Sequence, residues 1–215
     1  MSEHLIVNEI YRSIAGESSQ AGLPCVLIRL TGCNLRCHWC DTPQALDEGE
    51  PMTIDAILDR IAAPSCPRVL VTGGEPLTQP AAPQLLQRLC DAGYDVMLET
   101  NGTLDVSGVD PRVRRVLDIK CPSSRAAEET CWANLEHLRA GDEVKFVIAD
   151  RDDFDFARRV ACEHKLIGRC EVLFSPVLDR LKPAELAEWI LTDGLDVRLG
   201  VQLHKIIWPD RDRGV

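Results

Sequence analysis

Apolar positions along the chain alternate between two patterns. Short runs rich in branched side chains predict strands over 25–30, 68–72, 95–99, 113–120, 143–148, 170–174 and 196–203. Between several of them the period lengthens. Ile54, Ile57, Leu58 and Ile61 stand at i, i+3, i+4 and i+7, and Ala82, Leu85, Leu86 and Leu89 repeat that stripe, so each set predicts a helix with one buried face. Further helices are expected over 128–138, 154–164 and 183–191, the last with Pro183 in a first turn that needs no backbone N–H. Gly93, Gly141, Gly168 and Gly194 each follow a helical stretch, where a left-handed residue closes the last turn.

Strands alternating with helices imply a parallel sheet with right-handed crossovers. About six such units are too few for the closed eight-unit barrel, which leaves a partial barrel or a doubly wound sheet. In either architecture ligands collect at the C-terminal ends of the strands. The polar and glycine-bearing turns follow the strands at that edge: 31–42 after the first of the series, Gly73-Gly74-Glu75 after the second, Thr100-Asn101-Gly102 after the third. Cys121-Pro122-Ser123 and Ser175-Pro176 come after later strands. Five turns are thus expected to converge on one rim.

Composition narrows the class. A chain of 215 residues, 45% hydrophobic and 27% charged, suits one globular domain, able to bury roughly 70% of its unfolded surface. The net charge of −10 argues against a nucleic-acid surface, which needs a basic stripe. Met1-Ser2-Glu3-His4 lacks a basic leader, Leu5-Ile6-Val7 is too short for a signal core, and no run nears the ~18 apolar residues of a membrane span. The expectation is a cytoplasmic protein, where thiols stay reduced. Of its ten cysteines, seven (Cys25, Cys66, Cys90, Cys121, Cys131, Cys162 and Cys170) are scattered and read as small core hydrophobes.

Cys33, Cys37 and Cys40 are not scattered. Their spacing brings three soft thiolates together, a set suited to zinc, Cu(I) or iron–sulfur iron. On a helix the same spacing would give only a small apolar stripe, although Gly32, Pro43 and the intervening polar residues disfavour one. A structural zinc ion would need a fourth ligand, His38 or a more distant histidine. A [4Fe–4S] cluster usually takes four cysteines, so three would leave one iron open to a ligand.

CxxxCxxC after the first strand of a βα series resembles the radical S-adenosylmethionine (SAM) enzymes, and Val71-Thr72-Gly73-Gly74-Glu75-Pro76 is similar to their GGE motif. The likeness narrows to the 7-carboxy-7-deazaguanine synthase family. It is carried by Asn8-Glu9-Ile10-Tyr11, Ser13-Ile14-Ala15-Gly16-Glu17, Cys40-Asp41-Thr42, Glu99-Thr100-Asn101-Gly102, Asp118-Ile119-Lys120-Cys121-Pro122-Ser123-Ser124, Asp142-Glu143-Val144-Lys145-Phe146, Phe174-Ser175-Pro176-Val177 and Gln202-Leu203-His204-Lys205. The resemblance implies an α/β fold, the partial (β/α)6 radical-SAM barrel. It implies a single domain, 1–215, with a short N-terminal substrate-binding segment and a C-terminal extension, 210–215. It further implies a lyase that converts 6-carboxy-5,6,7,8-tetrahydropterin to 7-carboxy-7-deazaguanine with loss of ammonia, on the route to queuosine and related 7-deazapurines.

By the same resemblance Cys33, Cys37 and Cys40 hold the [4Fe–4S] cluster and Thr42 ligates Mg²⁺. Trp39, Cys40, Asp41, Gly74, Cys121, Pro122, Ser123, Ser175, Pro176, Val177 and Leu178 would line SAM, with Glu75 adding charge beside it. Ile14, Ala15, Gly16, Arg29 and Thr72 would face the pterin. Arg29 is a charge within an apolar strand, there to grip a substrate carboxylate or to complete a salt bridge with Glu17 or Glu99. Glu99 and His204 are further rim candidates, and Thr42 equally suits a turn before Pro43. Two departures stand out: Ala15 occupies a position where the family usually has glutamine, and 210–215 run past Pro209, near which some relatives end. The implied partners are the small-molecule pterin, a flavodoxin- or ferredoxin-type electron donor and a second copy in a homodimer, with no nucleic acid or membrane. Alternatives are a glycyl-radical-enzyme activase and a zinc-binding module without enzymatic activity.

Overall fold

A computed structural model describes residues 4–62, 66–211 and 213–215; Met1, Ser2 and Glu3 of the amino end and Asp212 of the extension lie outside them. Its centre is a nine-stranded open sheet in the order β3-β1-β2-β4-β5-β6-β7-β8-β9. The strands are β1 (His4–Ile14), β2 (Pro24–Leu30), β3 (Glu50–Thr53), β4 (Arg68–Gly73), β5 (Asp95–Thr100), β6 (Arg114–Ile119), β7 (Glu143–Ile148), β8 (Glu171–Pro176) and β9 (Arg198–Leu199). From β2 through β9 every neighbour is parallel. Helices α1 (Ile54–Ile61), α2 (Ala82–Asp91), α3 (Arg151–Glu163), α4 (Pro183–Thr192) and α5 (Leu203–Ile207) complete the chain. The unclosed sheet with its helices is the expected partial barrel.

Strand parity sorts the sheet into two faces. Val26, Ile28, Leu30, Val71, Leu98, Leu117, Val144, Phe146, Val172 and Phe174 point one way and share a core with Ile57, Leu85, Leu89, Phe154, Val160 and Leu186 of α1–α4. Edge-to-face rings join β7, β8, α3 and α4: Phe146 to Phe174 at 5.6 Å, Phe174 to Phe154 at 5.7 Å, Phe154 to Trp189 at 5.5 Å. The intervening positions face the other way, and there the register sets Arg29 beside Thr72 and Asp118 beside Lys145. Apart from Arg115, which stands on the helix side beside Leu98 and meets Asp142 at 3.6 Å, the buried charge of the strands lies on this inner wall.

Cys162, expected in the core, is exposed on the polar side of α3, and three expectations about secondary structure require correction. β1 and β3 form an antiparallel edge that periodicity does not reveal. A bulge between Val7 and Glu9 shifts the parity of β1, so Leu5 and Val7 join the helix-side core while Glu9 and Tyr11 face inward. The helix expected over 128–138 is instead two 3₁₀ segments, Ala127–Glu129 and Trp132–His137. Asn134 explains it: its side chain donates to the carbonyls of Gly102 and Leu104 and accepts from Val106 N, so tertiary bonds to the preceding loop outweigh local propensity. Finally, the strand expected over 196–203 pairs only at Arg198–Leu199. Beyond Gly200, whose N–H reaches Phe174 O at 2.8 Å, the chain leaves the ladder and Leu203 N bonds Gly16 O at 2.9 Å, opening α5.

Candidate active site

The loop leaving β2 carries the cysteine triplet, and backbone bonds fix its path. Gly32 N donates to Ala45 O (2.8 Å), Glu75 N to Gly32 O (2.7 Å) and His38 N to Ser124 O (3.3 Å). Arg36 Nη1 ties the carbonyls of Cys33 (2.8 Å) and Leu35 (2.7 Å). The segment is not helical, so the apolar-stripe reading of positions 33, 37 and 40 is set aside. All three are free thiols, Cys33 and Cys37 part-exposed and Cys40 exposed. Leu35 N (3.4 Å) and Asn101 Nδ2 (3.8 Å) donate to Cys33 Sγ. Among the described residues no three His, Cys, Asp or Glu side chains are placed to hold a single metal ion. Three soft donors spread along an open loop fit a cluster that takes each thiolate at a different iron better than one tetrahedral zinc.

The glycine pair after β4 lies against this loop. A Cβ on Gly74 would strike Gly32 O and come within 2.7 Å of Cys33 Cβ, and one on Gly73, whose φ is +155°, would strike the Leu30 backbone. Only glycine lets the two turns touch. Glu75 has a different task from the one expected of it. Its fully buried carboxylate accepts from Leu77 N (3.0 Å), Thr100 Oγ1 (2.8 Å) and Asn101 N (2.6 Å). It therefore braces the β5 turn rather than facing a ligand. Burial pushes its pKa up, against the pull of those donors. Through Asn101, which bonds Asn34 Oδ1 at 3.0 Å, the brace reaches the cysteine loop.

The other residues expected around SAM lie on the same rim, in distinct roles. Trp39 sits under the Arg180 guanidinium at 5.0 Å. Asp41 meets Gln202 at 3.0 Å and Lys205 at 3.6 Å. Cys121 is buried and its thiol pushed well up by burial, so only its backbone can face a ligand. Pro122 is exposed, while Ser123 is bonded through N (3.0 Å) and Oγ to Asp153. Ser175 and Pro176 are buried at the end of β8, with Val177 and Leu178 half-buried beyond. Thr42 occupies the N-cap position before Pro43, yet its side chain makes no capping bond, and its hydroxyl has no hydrogen-bond partner among the described residues.

Beneath the rim lies a charged wall whose members Glu17, Thr72 and Glu99 the sequence offers but whose hub, Lys145, it does not single out. Lys145 Nζ meets Glu17 Oε2 (2.6 Å), Glu99 Oε1 (2.5 Å) and Asp118 Oδ2 (3.5 Å), and Lys120 pairs with Asp118 at 2.9 Å. Thr72 Oγ1 donates to Glu99 Oε2 at 3.1 Å. Burial alone would lower the Lys145 pKa, but the carboxylates of Glu17, Glu99 and Asp118 hold it well above the usual lysine value. A signal was present: Asp118 and Lys120, then Glu143 and Lys145, put charges two apart inside apolar strands, on one face.

Arg29 lines the same wall. Its partners are Glu9 (Nε to Oε1, 2.8 Å) and Tyr11 (Nη2 to Oη, 3.1 Å) of β1, not Glu17 or Glu99. The extension folds onto this pair: Tyr11 Oη donates to Val215 O (2.9 Å), Gly214 N to Glu9 Oε2 (3.3 Å), and Arg213 meets Glu48 at 2.7 Å. Pro209 itself is exposed. Ile14 ends β1, Ala15 is buried against Cys25 and Leu27, and a Cβ on Gly16 would strike the His204 ring.

Residues 27–121 match the family described as the radical SAM superfamily. Over nearly its whole length the chain is similar to curated proteins named 7-carboxy-7-deazaguanine synthase. One from Chlorobaculum tepidum is 46% identical over 98% of this chain and 97% of that protein; one from Koribacter versatilis is 41% identical over 97% and 99%. Among solved structures, QueE from Escherichia coli superposes with a TM-score of 0.78 at 21% identity, covering 94% of this chain and 95% of that one, a likeness of fold. The peptide-bound, SAM-bound and unbound structures of SuiB from Streptococcus suis share it more distantly, the SAM-bound one at a TM-score of 0.55 and 13% identity, covering 83% of this chain and 47% of that one.

Proposed function

The chain belongs to the 7-carboxy-7-deazaguanine synthase family of the radical SAM superfamily, and from that premise we propose that it converts 6-carboxy-5,6,7,8-tetrahydropterin to 7-carboxy-7-deazaguanine, with loss of ammonia. The observation that carries the reading is the stacking of two layers: three free thiols and a glycine turn on the rim, and a charged wall below. Family membership implies a [4Fe–4S] cluster and SAM, which when bound supply hydrogen-atom abstraction started by one electron.

The chain's own residues bind, orient and enclose. Cys33, Cys37 and Cys40 would hold the cluster. Trp39, Asp41, Gly74, the Cys121, Pro122 and Ser123 turn and the Ser175, Pro176, Val177 and Leu178 segment would line SAM, with Cys121 acting through its backbone. Arg29 would receive the substrate carboxylate on the part of its guanidinium that Glu9 and Tyr11 leave free. Thr72 and the strap at Ile14, Ala15 and Gly16 would close around the pterin, with the Ala15 backbone engaged by Leu23 and Gly22 in shaping the strap where relatives offer an amide. Thr42 would give Mg²⁺ one oxygen, the cation keeping waters and substrate oxygens as its other ligands.

A flavodoxin- or ferredoxin-type donor would deliver the electron at the cysteine loop. Arg36, Arg125 and Arg180 border that loop, and none has a carboxylate within ion-pair distance among the described residues, on a chain of charge −10. Homodimerisation and a cytoplasmic location complete the reading; among the described residues no helix is long and apolar enough to cross a membrane. The test is anaerobic incubation with carboxypterin, SAM, Mg²⁺ and a reductant, with the product identified by mass. Product with SAM largely regenerated supports the reading. SAM consumed without pterin turnover would favour an activase instead.

A further inference from the structure

Glu143 and Lys145 stand two apart on β7 and so face the same side of the sheet. Both are engaged by one distant segment. Ser19 reaches Glu143 through its backbone N–H (3.0 Å) and its hydroxyl (2.5 Å), while Glu17 meets Lys145 at 2.6 Å. The 15–23 segment therefore forms a strap, closed at its base by Ala15 N to Leu23 O (2.8 Å) and Gly22 N to Ala15 O (2.9 Å), that starts beside β1 and β2 and lands on β7 across the inner wall. Its landing cation is also the one that holds Glu99 and Asp118.

From this arrangement we infer that Lys145 is a positioning residue for the substrate: it pins the strap to the wall and so fixes Ile14, Ala15, Gly16 and the carboxylates of Glu17 and Glu99 around the pterin. The inference rests on the carboxypterin reading given above. The physical case is one of charge. Glu17, Glu99 and Asp118 gather on one ammonium whose side chain is 6% exposed; without it, like charges would face each other in a poorly solvated place and the strap carboxylate would leave. Glu99 spends its second oxygen on Thr72, whereas the second oxygen of Glu17 has no partner among the described residues, so it can face a ligand. Most segments assigned to cluster and SAM stand on separate bonds, Gly32 to Ala45, Glu75 to Asn101 and Ser123 to Asp153, whereas Asp41 is linked to the strap, through Gln202 and the bond from Leu203 N to Gly16 O. Loss of Lys145 should therefore be felt by one ligand and not the other.

The experiment uses the anaerobically reconstituted full chain. Lys145→Met should raise the Kd for carboxypterin about tenfold or more, leave the Kd for SAM within about twofold, and speed proteolytic cleavage inside 15–23. Glu17→Gln, which removes only the strap's end of the pair, should move carboxypterin binding and cleavage in the same direction and by less. Carboxypterin affinity unchanged in both variants, or SAM and carboxypterin weakened equally, overturns the inference. If Lys145→Met does not fold, Glu17→Gln decides alone, and unchanged cleavage with unchanged carboxypterin affinity overturns it. Should the unmodified enzyme fail to bind carboxypterin, the substrate reading falls, and cleavage of the strap still judges its attachment to Lys145.

Discussion

Glu75 offers a direct way to separate bracing from ligand contact. In Glu75→Ala the buried Asn101 N–H and Thr100 hydroxyl lose their acceptor, as does Leu77 N at the half-buried turn. Leaving a buried donor unpaired costs about 1–3 kcal/mol each. Two such orphans, softened by relief from burying a carboxylate, give about 2–5 kcal/mol. For a chain of this size that is a fall in Tm of roughly 6–15 °C. Glu75→Gln keeps an acceptor for Leu77 and Thr100 at Oε1 but turns an amide N–H toward Asn101 N, so a loss of about 1–3 kcal/mol is expected. Urea unfolding of the cluster-free chain reads both values, and calorimetry on the reconstituted protein reads SAM affinity. A stability loss below about 0.5 kcal/mol in both variants, together with sharply weakened SAM binding, would refute the brace and restore a direct role beside SAM.

Gly74→Ala should lower the iron retained per chain after reconstitution, because the added methyl strikes Gly32 O and crowds Cys33; full retention would contradict the contact. Alkylation at about pH 8 followed by mass analysis should modify exposed Cys40 and Cys162 well before Cys25, whose buried thiol is pushed up to about 12, and Cys121. The Lys145 pKa is raised in the folded state by its carboxylates despite burial, so the native state holds its proton longer than the unfolded chain does. Its stabilisation is complete below about pH 10.4 and lost as pH rises from there towards the folded value, so above about pH 10.4 urea midpoints should fall more steeply in the unmodified protein than in Lys145→Met. Thr42→Val, which removes a hydroxyl without a partner among the described residues, should blunt the response of turnover to Mg²⁺ with little change in stability; an unchanged metal dependence removes the ligand assignment.

How legible all this was depended on the range of the interactions involved. The parallel strands apart from β9, and α1–α4, follow local periodicity and stand within a few residues of expectation, because each buries one helix-facing set in a common core. The antiparallel edge was hidden because a single bulge at Val7/Glu9 breaks alternation. The 127–137 segment misled because Asn134 answers to a loop about thirty residues away in sequence, which no window along the chain can sense. The cysteine loop was readable since its chemistry lies within eight residues, from Cys33 to Cys40. The charged wall joins five elements through Glu17, Thr72, Glu99, Asp118 and Lys145, so only its in-strand charges could be seen in advance. Arg29 shows the limit plainly: charge in an apolar strand announced a partner, but the bulge that turns Glu9 and Tyr11 toward it decided which.

Electron paramagnetic resonance of the anaerobically reconstituted, reduced chain, recorded without and with SAM, probes the coordination of the triplet most directly. The account predicts about four irons per chain and a spectrum that changes when SAM reaches the iron left free by Cys33, Cys37 and Cys40. A spectrum indifferent to SAM, with a fourth side chain filling that position, would contradict it.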